Sequence, residues 1–135
     1  MEDNLDFEIP DDLLYTSDDE WVSAEDGCVT VGVTDFAQQQ LGDIVYVELP
    51  SVGDHFAEGA AFGVIESVKA VSDLNAPIAG EVIAVNDELV NQPETINEEC
   101  YGDGWIIKLR PSEEDALDGL LDADSYRKIV SERSA

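Results

Sequence analysis

Basic residues are scarce in this sequence. Its 135 residues include 32 Asp and Glu but only 6 Lys and Arg, which gives a formal net charge of −26. Such a negative field repels polyanions, so it argues against nucleic acids and anionic membrane surfaces as partners. Long apolar runs are absent as well, because no segment approaches the ~18 consecutive apolar residues of a membrane span. Since the acidic start, Met1–Asn4, also lacks the basic and apolar regions of a signal peptide, we expect a soluble, cytoplasmic protein that binds neither nucleic acid nor membrane.

Cysteine and histidine are also rare. Cys28 and Cys100 form no C-x-x-C pair, so we predict two buried thiols rather than a disulfide or a metal site. His55 is the single histidine, which excludes a metal site with two histidine ligands and disfavours a Ser-His-Asp triad.

The carboxylates are spread along the chain at roughly one in four residues rather than gathered in one block. In about 1 M salt the Debye length is ~3 Å, so neighbouring carboxylates largely cease to repel each other. This spread predicts an adaptation to a high-salt cytoplasm, in a halophilic organism. An acidic interaction tail would instead concentrate like charges in long runs.

Short β-prone segments separated by Gly, Pro and Asp turn residues fill most of the chain. The predicted strands are Trp21–Ala24, Cys28–Val33, Ile44–Leu49, Phe62–Val68, Gly80–Asn86 and Trp105–Arg110. This pattern is typical of a β-sandwich or barrel with peripheral helices. Thr34 is predicted to cap a short helix over residues 35–41 that ends at Gly42, and residues 112–135 are predicted to form one or two amphipathic helices.

The length and apolar content predict one domain over residues 1–135, with residues 1–14 as an acidic, partly loose lead-in. Its core is predicted to contain aromatic and aliphatic residues of the strands and the short helix. These are Trp21, Phe36, Val45, Val47, Phe62, Val64, Val82, Val85 and Trp105.

Lysine occurs at three positions, Lys69, Lys108 and Lys128. The last two lie in a predicted strand and a predicted helix, where a solvated cation among carboxylates is the ordinary interpretation. Lys69 instead lies in a predicted turn, where a modifying enzyme can reach its side chain. Its flexible stem and terminal amine suit acylation. The alternative at this point is a plain ion pair of Lys69 with Glu66 or Asp73.

Five segments occur in an order and at a spacing that point to one family. They are Gly32–Gln38, Leu41–Pro50, Glu66–Ala70, Ala76–Val82 and Tyr101–Trp105. Together they resemble the glycine cleavage system H protein, a family of lipoyl carriers, over most of the chain. The sequence departs from the family pattern at Asp19, where the family usually has histidine, and at Cys100, where proline is common.

The resemblance implies a mainly β, flattened barrel-sandwich hybrid of the lipoyl- and biotinyl-carrier type, with a short helix and C-terminal helices. It implies that Lys69 carries lipoate in amide linkage and that the chain is a non-catalytic carrier, which we expect to be a monomer. The lipoyl arm would take the aminomethyl group from glycine decarboxylase (P protein) to aminomethyltransferase (T protein), and dihydrolipoamide dehydrogenase (L protein) would reoxidise it. A lipoate-attaching enzyme would be a further partner. By the same resemblance Glu20 and Asp73 would shelter the loaded arm, unless they are two more surface acids.

Other carriers and other functions are alternatives. A biotin carrier would present methionine on each side of the lysine, whereas the only methionine here is Met1. A lipoyl domain of a 2-oxo acid dehydrogenase would be joined to a linker and a catalytic domain, which we do not expect beyond Ala135. An enzyme with a carboxylate pair would turn over alone, and a pure binding module would leave Lys69 unmodified. Within the family, a lipoyl relay that donates lipoyl groups to other enzymes is the alternative to glycine cleavage.

Overall fold

The computed structural model describes residues 7–25, 27–113 and 115–134, and β-strands dominate it. The strands are β1 (Leu14–Tyr15), β2 (Glu20–Glu25), β3 (Cys28–Val33), β4 (Ile44–Glu48), β5 (His55–Phe56), β6 (Ala61–Ser67), β7 (Val71–Asn75), β8 (Gly80–Val85) and β9 (Ile107–Pro111). The helices are α1 (Asp35–Leu41), α2 (Glu88–Asn91), α3 (Thr95–Glu98) and α4 (Ala123–Ser134), with a 3₁₀ helix over Ala116–Gly119. Within the described ranges, no helix is long and apolar enough to span a bilayer.

The strands form two antiparallel sheets. The larger sheet has the strand order β1-β2-β3-β9-β8-β5, and the smaller one has the order β4-β6-β7. Helix α1 connects β3 of the larger sheet to β4 of the smaller one. The predicted mainly β fold of two sheets, with a short helix between strands and helices after the last strand, is confirmed.

The main core lies between the two sheets, because both of them contribute buried residues to one apolar cluster. Val22, Val31 and Leu109 come from the larger sheet, and Val47 and Ile65 come from the smaller one. A second apolar cluster joins α1, α4 and the first described residues to the larger sheet. Strand β2 contributes to both clusters, since alternate residues of a strand point to opposite faces.

Helix α1 begins and ends where the sequence predicts. The Thr34 hydroxyl accepts a hydrogen bond from the Ala37 amide at 3.2 Å, which satisfies one of the free N–H groups of the first turn. Gly42 follows the last helical residue with a φ of 80°, a left-handed conformation that glycine adopts without strain. The helix therefore ends at Leu41 and the chain turns directly into β4.

Four of the nine predicted core residues are not fully buried. The prediction for Val45 is wrong: its side chain is 55% exposed, because the register of β4 shifts at this point and a β-bulge turns both Val45 and Tyr46 outward. Val64 is half-buried, since it lies opposite an exposed acidic residue of β4. Val85 and Trp105 are also half-buried, and they pack at the edges of the two apolar clusters.

The last strand and one cysteine also differ from prediction. Strand β9 begins at Ile107 rather than at Trp105. Cys100 is buried as predicted, but Cys28 is only half-buried, because it is the first residue of β3 beside the hairpin turn. Both thiols are free, in agreement with the prediction that they form no disulfide.

The described part of the N-terminal lead-in packs against the rest of the protein, although it was expected to be partly loose. In the lead-in, Ile9 is buried, and the Phe7 ring packs edge-on against Phe36 with their centroids 5.0 Å apart. Residues 1–6 lie outside the described residues. The predicted helical segment 112–135 contains the 3₁₀ helix and α4, while residues 114 and 135 lie outside the described part.

Strand β7 was not predicted, and it forms because it pairs with β6 along its length.

Candidate functional site

The hairpin between β6 and β7 presents Lys69 at its turn. The Ser67 hydroxyl oxygen accepts hydrogen bonds from the amides of Lys69 at 3.1 Å and Ala70 at 3.0 Å. A serine side chain that bonds nearby amides in this way stabilises a tight turn. The Ser67 amide donates to the Ala70 carbonyl at 2.8 Å, and the Val68 amide donates to the Asp43 carbonyl at 3.0 Å, just before β4. The main chain at Lys69 is therefore fixed from both sides, while its side chain is exposed.

The stem of Lys69 lies across Gly42, at the end of α1. A Cβ placed on Gly42 would be 3.1 Å from Cε and 3.9 Å from Nζ of Lys69, so a larger residue there would crowd the lysine. In the described part of the chain, the Lys69 ammonium makes no ion pair with Glu66, Asp73 or any other carboxylate. Lys108, by contrast, pairs with a carboxylate at 3.8 Å.

Glu20, at the start of β2, is buried and hydrogen-bonded through both carboxylate oxygens. Oε2 accepts from the Asn75 amide of β7 at 3.0 Å, and Oε1 accepts from the Thr16 hydroxyl at 3.0 Å. Burial raises the pKa of Glu20 from 4.5 to about 8, although these hydrogen bonds favour the charged form. The folded protein thus holds a proton that the unfolded chain releases. The contribution of Glu20 to stability is therefore full below about pH 4.5 and is lost as the pH rises through about 8.

Glu20 and Asp73 line the same cavity, which has a volume of about 190 Å³. Its walls are the turn before β2, the last turn of α1 and strand β7. Four acidic residues border it: Asp18, Asp19, Glu20 and Asp73. The apolar part of the lining is Val33, Ala37, Leu41, Ile65 and Leu74. Leu41, the last residue of α1, lines this cavity, and the Lys69 stem lies across Gly42, the next residue, so the Lys69 turn lies beside the α1 wall of the cavity.

The structure thus brings Glu20 and Asp73 to one cavity and places Lys69 on the turn of the hairpin whose strand β7 borders it, and it adds residues that the sequence prediction missed. Thr16 carries a recognisable signal, since a threonine shortly before a run of acidic residues is typical of a turn closed by its side chain. Gln40 and Ser72 line the cavity too, and no local pattern marks them. Their positions depend on the packing of α1 beside β7.

Exposed apolar side chains lie around the Lys69 turn. We call them the hairpin patch, and it consists of Val45, Tyr46, Val68 and Val71. Six large apolar residues are exposed in the described part of the chain, and these are four of them. The strand register places Tyr46 and Val71 on the same outer face of the smaller sheet, on either side of β6. An apolar patch on an otherwise acidic surface is typical of a protein interaction site.

The comparisons with known proteins agree on one family. A sequence model of the family described as Glycine cleavage H-protein matches residues 13–133. The glycine cleavage system H protein of Anaeromyxobacter sp. (strain K) is 56% identical, over 93% of this chain and 98% of that protein. The protein of the same name from Listeria monocytogenes serotype 4a (strain HCC23) is 54% identical, over 90% of this chain and 98% of that protein. The crystal structure of a glycine cleavage system H protein from Mycobacterium marinum is similar with a TM-score of 0.83 at 38% identity, and it covers 94% of this chain and 100% of that chain. On its sequence and its fold, this chain belongs to the glycine cleavage H-protein family.

Proposed function

We propose that this chain is the lipoyl carrier of the glycine cleavage system and that Lys69 is its attachment site. The observation that supports Lys69 most directly is its place: an exposed amine on a fixed turn, without an ion-pair partner among the described residues, beside the helix that forms one wall of a cavity lined by acidic residues. Because an amide bond removes the charge of the amine, modification of an unpaired lysine breaks no ion pair. The test is the intact mass of protein purified from its own host. It should exceed the mass of the sequence by one lipoyl group, which peptide mapping should locate at Lys69.

The residues around Lys69 suit such a group. The lipoyl group, when attached, supplies a disulfide that accepts an aminomethyl group and is later reoxidised. Glu20 and Asp73 would stabilise a cation in the cavity, since carboxylates form charge-assisted hydrogen bonds with an ammonium. The apolar lining would limit the access of water. We propose that the chain itself is non-catalytic and that its partner enzymes and their cofactors supply the chemistry.

The proposed partners are glycine decarboxylase, aminomethyltransferase, dihydrolipoamide dehydrogenase and a lipoate-attaching enzyme. An arm on Lys69 has to enter the active site of each enzyme, so the residues beside Lys69 would touch the entrance. The hairpin patch supports this role, because acidic residues lie beside its apolar side chains: Glu66 is between Tyr46 and Val71 in the strand register, and the exposed Asp43 is two residues before Val45. An active-site entrance with apolar residues at its edge and basic residues around them would be complementary to this surface.

The Val71→Asp variant should weaken the binding of the lipoylated carrier to glycine decarboxylase. A carboxylate in the middle of an apolar contact disfavours docking, so the KM for the lipoylated carrier should rise by about fivefold or more with little change in kcat. The measurement is glycine decarboxylation at several carrier concentrations. The matched control is Val52→Asp, because Val52 is 62% exposed against 67% for Val71 and lies beyond the other end of β4. If both variants shift KM equally, the loss reflects added charge alone and the patch has no docking role.

The Glu20→Gln variant should shorten the life of the aminomethyl group on the arm while leaving lipoylation of Lys69 unchanged. The amide keeps the size of the side chain but cannot carry the negative charge that stabilises an ammonium. Above about pH 8, where the Glu20 carboxyl group is mostly charged, we expect loss to be faster by about threefold to tenfold. The gap between variant and parent should widen as the pH rises toward about 8, because below that pH the buried carboxyl of Glu20 is largely neutral and glutamine imitates it.

Glu66→Gln is the control for this comparison, since Glu66 belongs to the same hairpin strand and does not border the cavity. Its loaded arm should decay at the parental rate. An unchanged rate in Glu20→Gln would instead place Glu20 among the ordinary surface acids.

We also propose that the acidic surface is an adaptation to high salt. Among the described residues, four of the six Lys and Arg side chains pair with carboxylates, namely Lys108, Arg110, Arg127 and Arg133. With 32 acidic residues in the chain, most carboxylates have no cation available to them. Their repulsion would weaken the folded state in dilute buffer and would be screened in concentrated salt.

A further inference from the structure

The turn that carries the cavity carboxylates, residues 16–20, is held from outside by the C-terminal helix. Arg133, in the last turn of α4, donates from Nη1 to Asp19 Oδ1 at 2.6 Å and from Nη2 to the Ser17 carbonyl at 2.5 Å. The Tyr126 hydroxyl, buried on the same helix, donates to the same Asp19 oxygen at 2.9 Å. Two side chains of α4 thus converge on one carboxylate of this turn.

Asp19 needs such support because of its backbone conformation. Its φ is 71°, in the left-handed region that residues other than glycine rarely adopt. This conformation aims the Asp19 carbonyl at the Thr34 amide, which donates to it at 3.0 Å, and lets the next residue enter β2 with its carboxyl group buried. The position of Glu20 therefore depends on how Asp19 is held.

Packing alone does not hold this turn in place, because a cavity lies on each of two sides of it. One side is the cavity of about 190 Å³ described above. The other is a second cavity of about 230 Å³ that is bordered by Thr16, Asp18 and Glu20 and, from α4, by Ile129. Because the turn of residues 16–20 separates two cavities, it is held in place mainly by its hydrogen bonds. The charge-assisted ones from Arg133 are the strongest type.

We propose that Arg133 is a positioning residue of the site: by binding Asp19 and the Ser17 carbonyl, it keeps Asp18 and Glu20 in the lining of the cavity that Asp73 also borders. The inference rests on the proposed carrier function and adds a residue distant in sequence to its site. Among the described residues, Arg133 is the cation that pairs with a carboxylate of this cavity.

The first test uses the unmodified protein and compares Arg133→Gln with Arg127→Gln. Arg127 is the matched control, because it also fastens α4 to the N-terminal segment, through the Ile9 carbonyl at 2.8 Å and the Asp11 carboxylate, but does not touch residues 16–20. In Arg133→Gln the amide protons of Asp19 and Thr34 should exchange with solvent about tenfold faster or more, since a charge-assisted bond contributes about that factor to local opening. In Arg127→Gln they should exchange at the parental rate.

The second test measures the life of the aminomethyl group on the lipoylated protein. It should be shorter by about threefold to tenfold in Arg133→Gln, with lipoylation unchanged, and parental in Arg127→Gln. Arg133→Lys should restore part of it, because lysine keeps the charge but cannot make both contacts at once. Equal amide exchange in the two glutamine variants, or faster exchange with an unchanged lifetime, would overturn the proposal. If the parent protein accepts no lipoyl group, the carrier function fails, whereas the amide-exchange comparison still decides whether Arg133 positions the turn.

Discussion

Replacing Lys69 with arginine is expected to give a folded protein that carries no lipoyl group and supports no glycine decarboxylation with the partner enzymes. Arginine keeps the positive charge and most of the stem, but its guanidinium does not form this amide. The side chain is exposed at a hairpin turn, so the free energy of unfolding should change by no more than ~0.5 kcal/mol. Intact mass, a glycine decarboxylation assay with the partners and a thermal melt measure the three expectations.

Two lysine variants control for a general effect. Lys108→Arg and Lys128→Arg should both be lipoylated and active, because they leave the hairpin unchanged. Lipoylation also removes one positive charge, so the holo form should move faster toward the anode on a native gel, in Lys108→Arg and Lys128→Arg as well as in the parent. Activity in Lys69→Arg would refute the assignment of the arm.

The thermal midpoint should climb steeply when KCl is added to dilute buffer. Screening shortens the Debye length from about 10 Å in about 0.1 M salt to about 3 Å in about 1 M salt, which removes most of the repulsion within a net charge of −26. Relief of about 3 kcal/mol would raise the midpoint by about 10 °C in a domain of this size. Differential scanning calorimetry across a salt series provides the measurement.

The shape of the salt dependence separates screening from other effects. Screening acts most strongly at low concentration, whereas preferential exclusion of salt from apolar surface grows steadily through the molar range. Most of the rise should therefore occur below about 0.5 M KCl. A flat or purely linear rise would contradict the high-salt adaptation and would leave the carrier function untouched.

Local chemistry explains which parts of the fold could be predicted from the sequence. Thr34 and Gly42 bound α1 through capping and glycine conformation, both of which act within a few residues. The sequence predicts that both Val45 and Val47 are in the core, and a single bulge turns Val45 outward while Val47 stays buried. Strand β7 lacks an alternating pattern, and only its pairing with β6 makes it a strand.

For the site, as for the fold, features that depend on nearby residues could be predicted from the sequence, whereas contacts between distant residues could not. Lys69 could be proposed from the sequence because lysine is rare here and because the neighbouring motif resembles a known family. The burial of Glu20 could not be found, since its oxygens meet the Asn75 amide 55 residues away and a threonine that is close in sequence. The contact of Asp19 with Arg133 spans 114 residues and depends on the packing of α4.

The hydrogen bonds on both sides of the Lys69 turn determine how an arm would move. Because Ser67 and the chain before β4 fix the main chain there, an arm on Lys69 would pivot at the Cα of Lys69 and not at a flexible loop. All of its reach then comes from side-chain torsions, which change within nanoseconds when exposed. The local concentration of the reactive end at a docked active site is therefore determined by arm length and by where the pivot is held. If the turn were flexible, the reactive end would sample a larger volume and its local concentration at the active site would fall. Transfer of the bound group to a docked enzyme should therefore be faster from a rigid turn than from a flexible one.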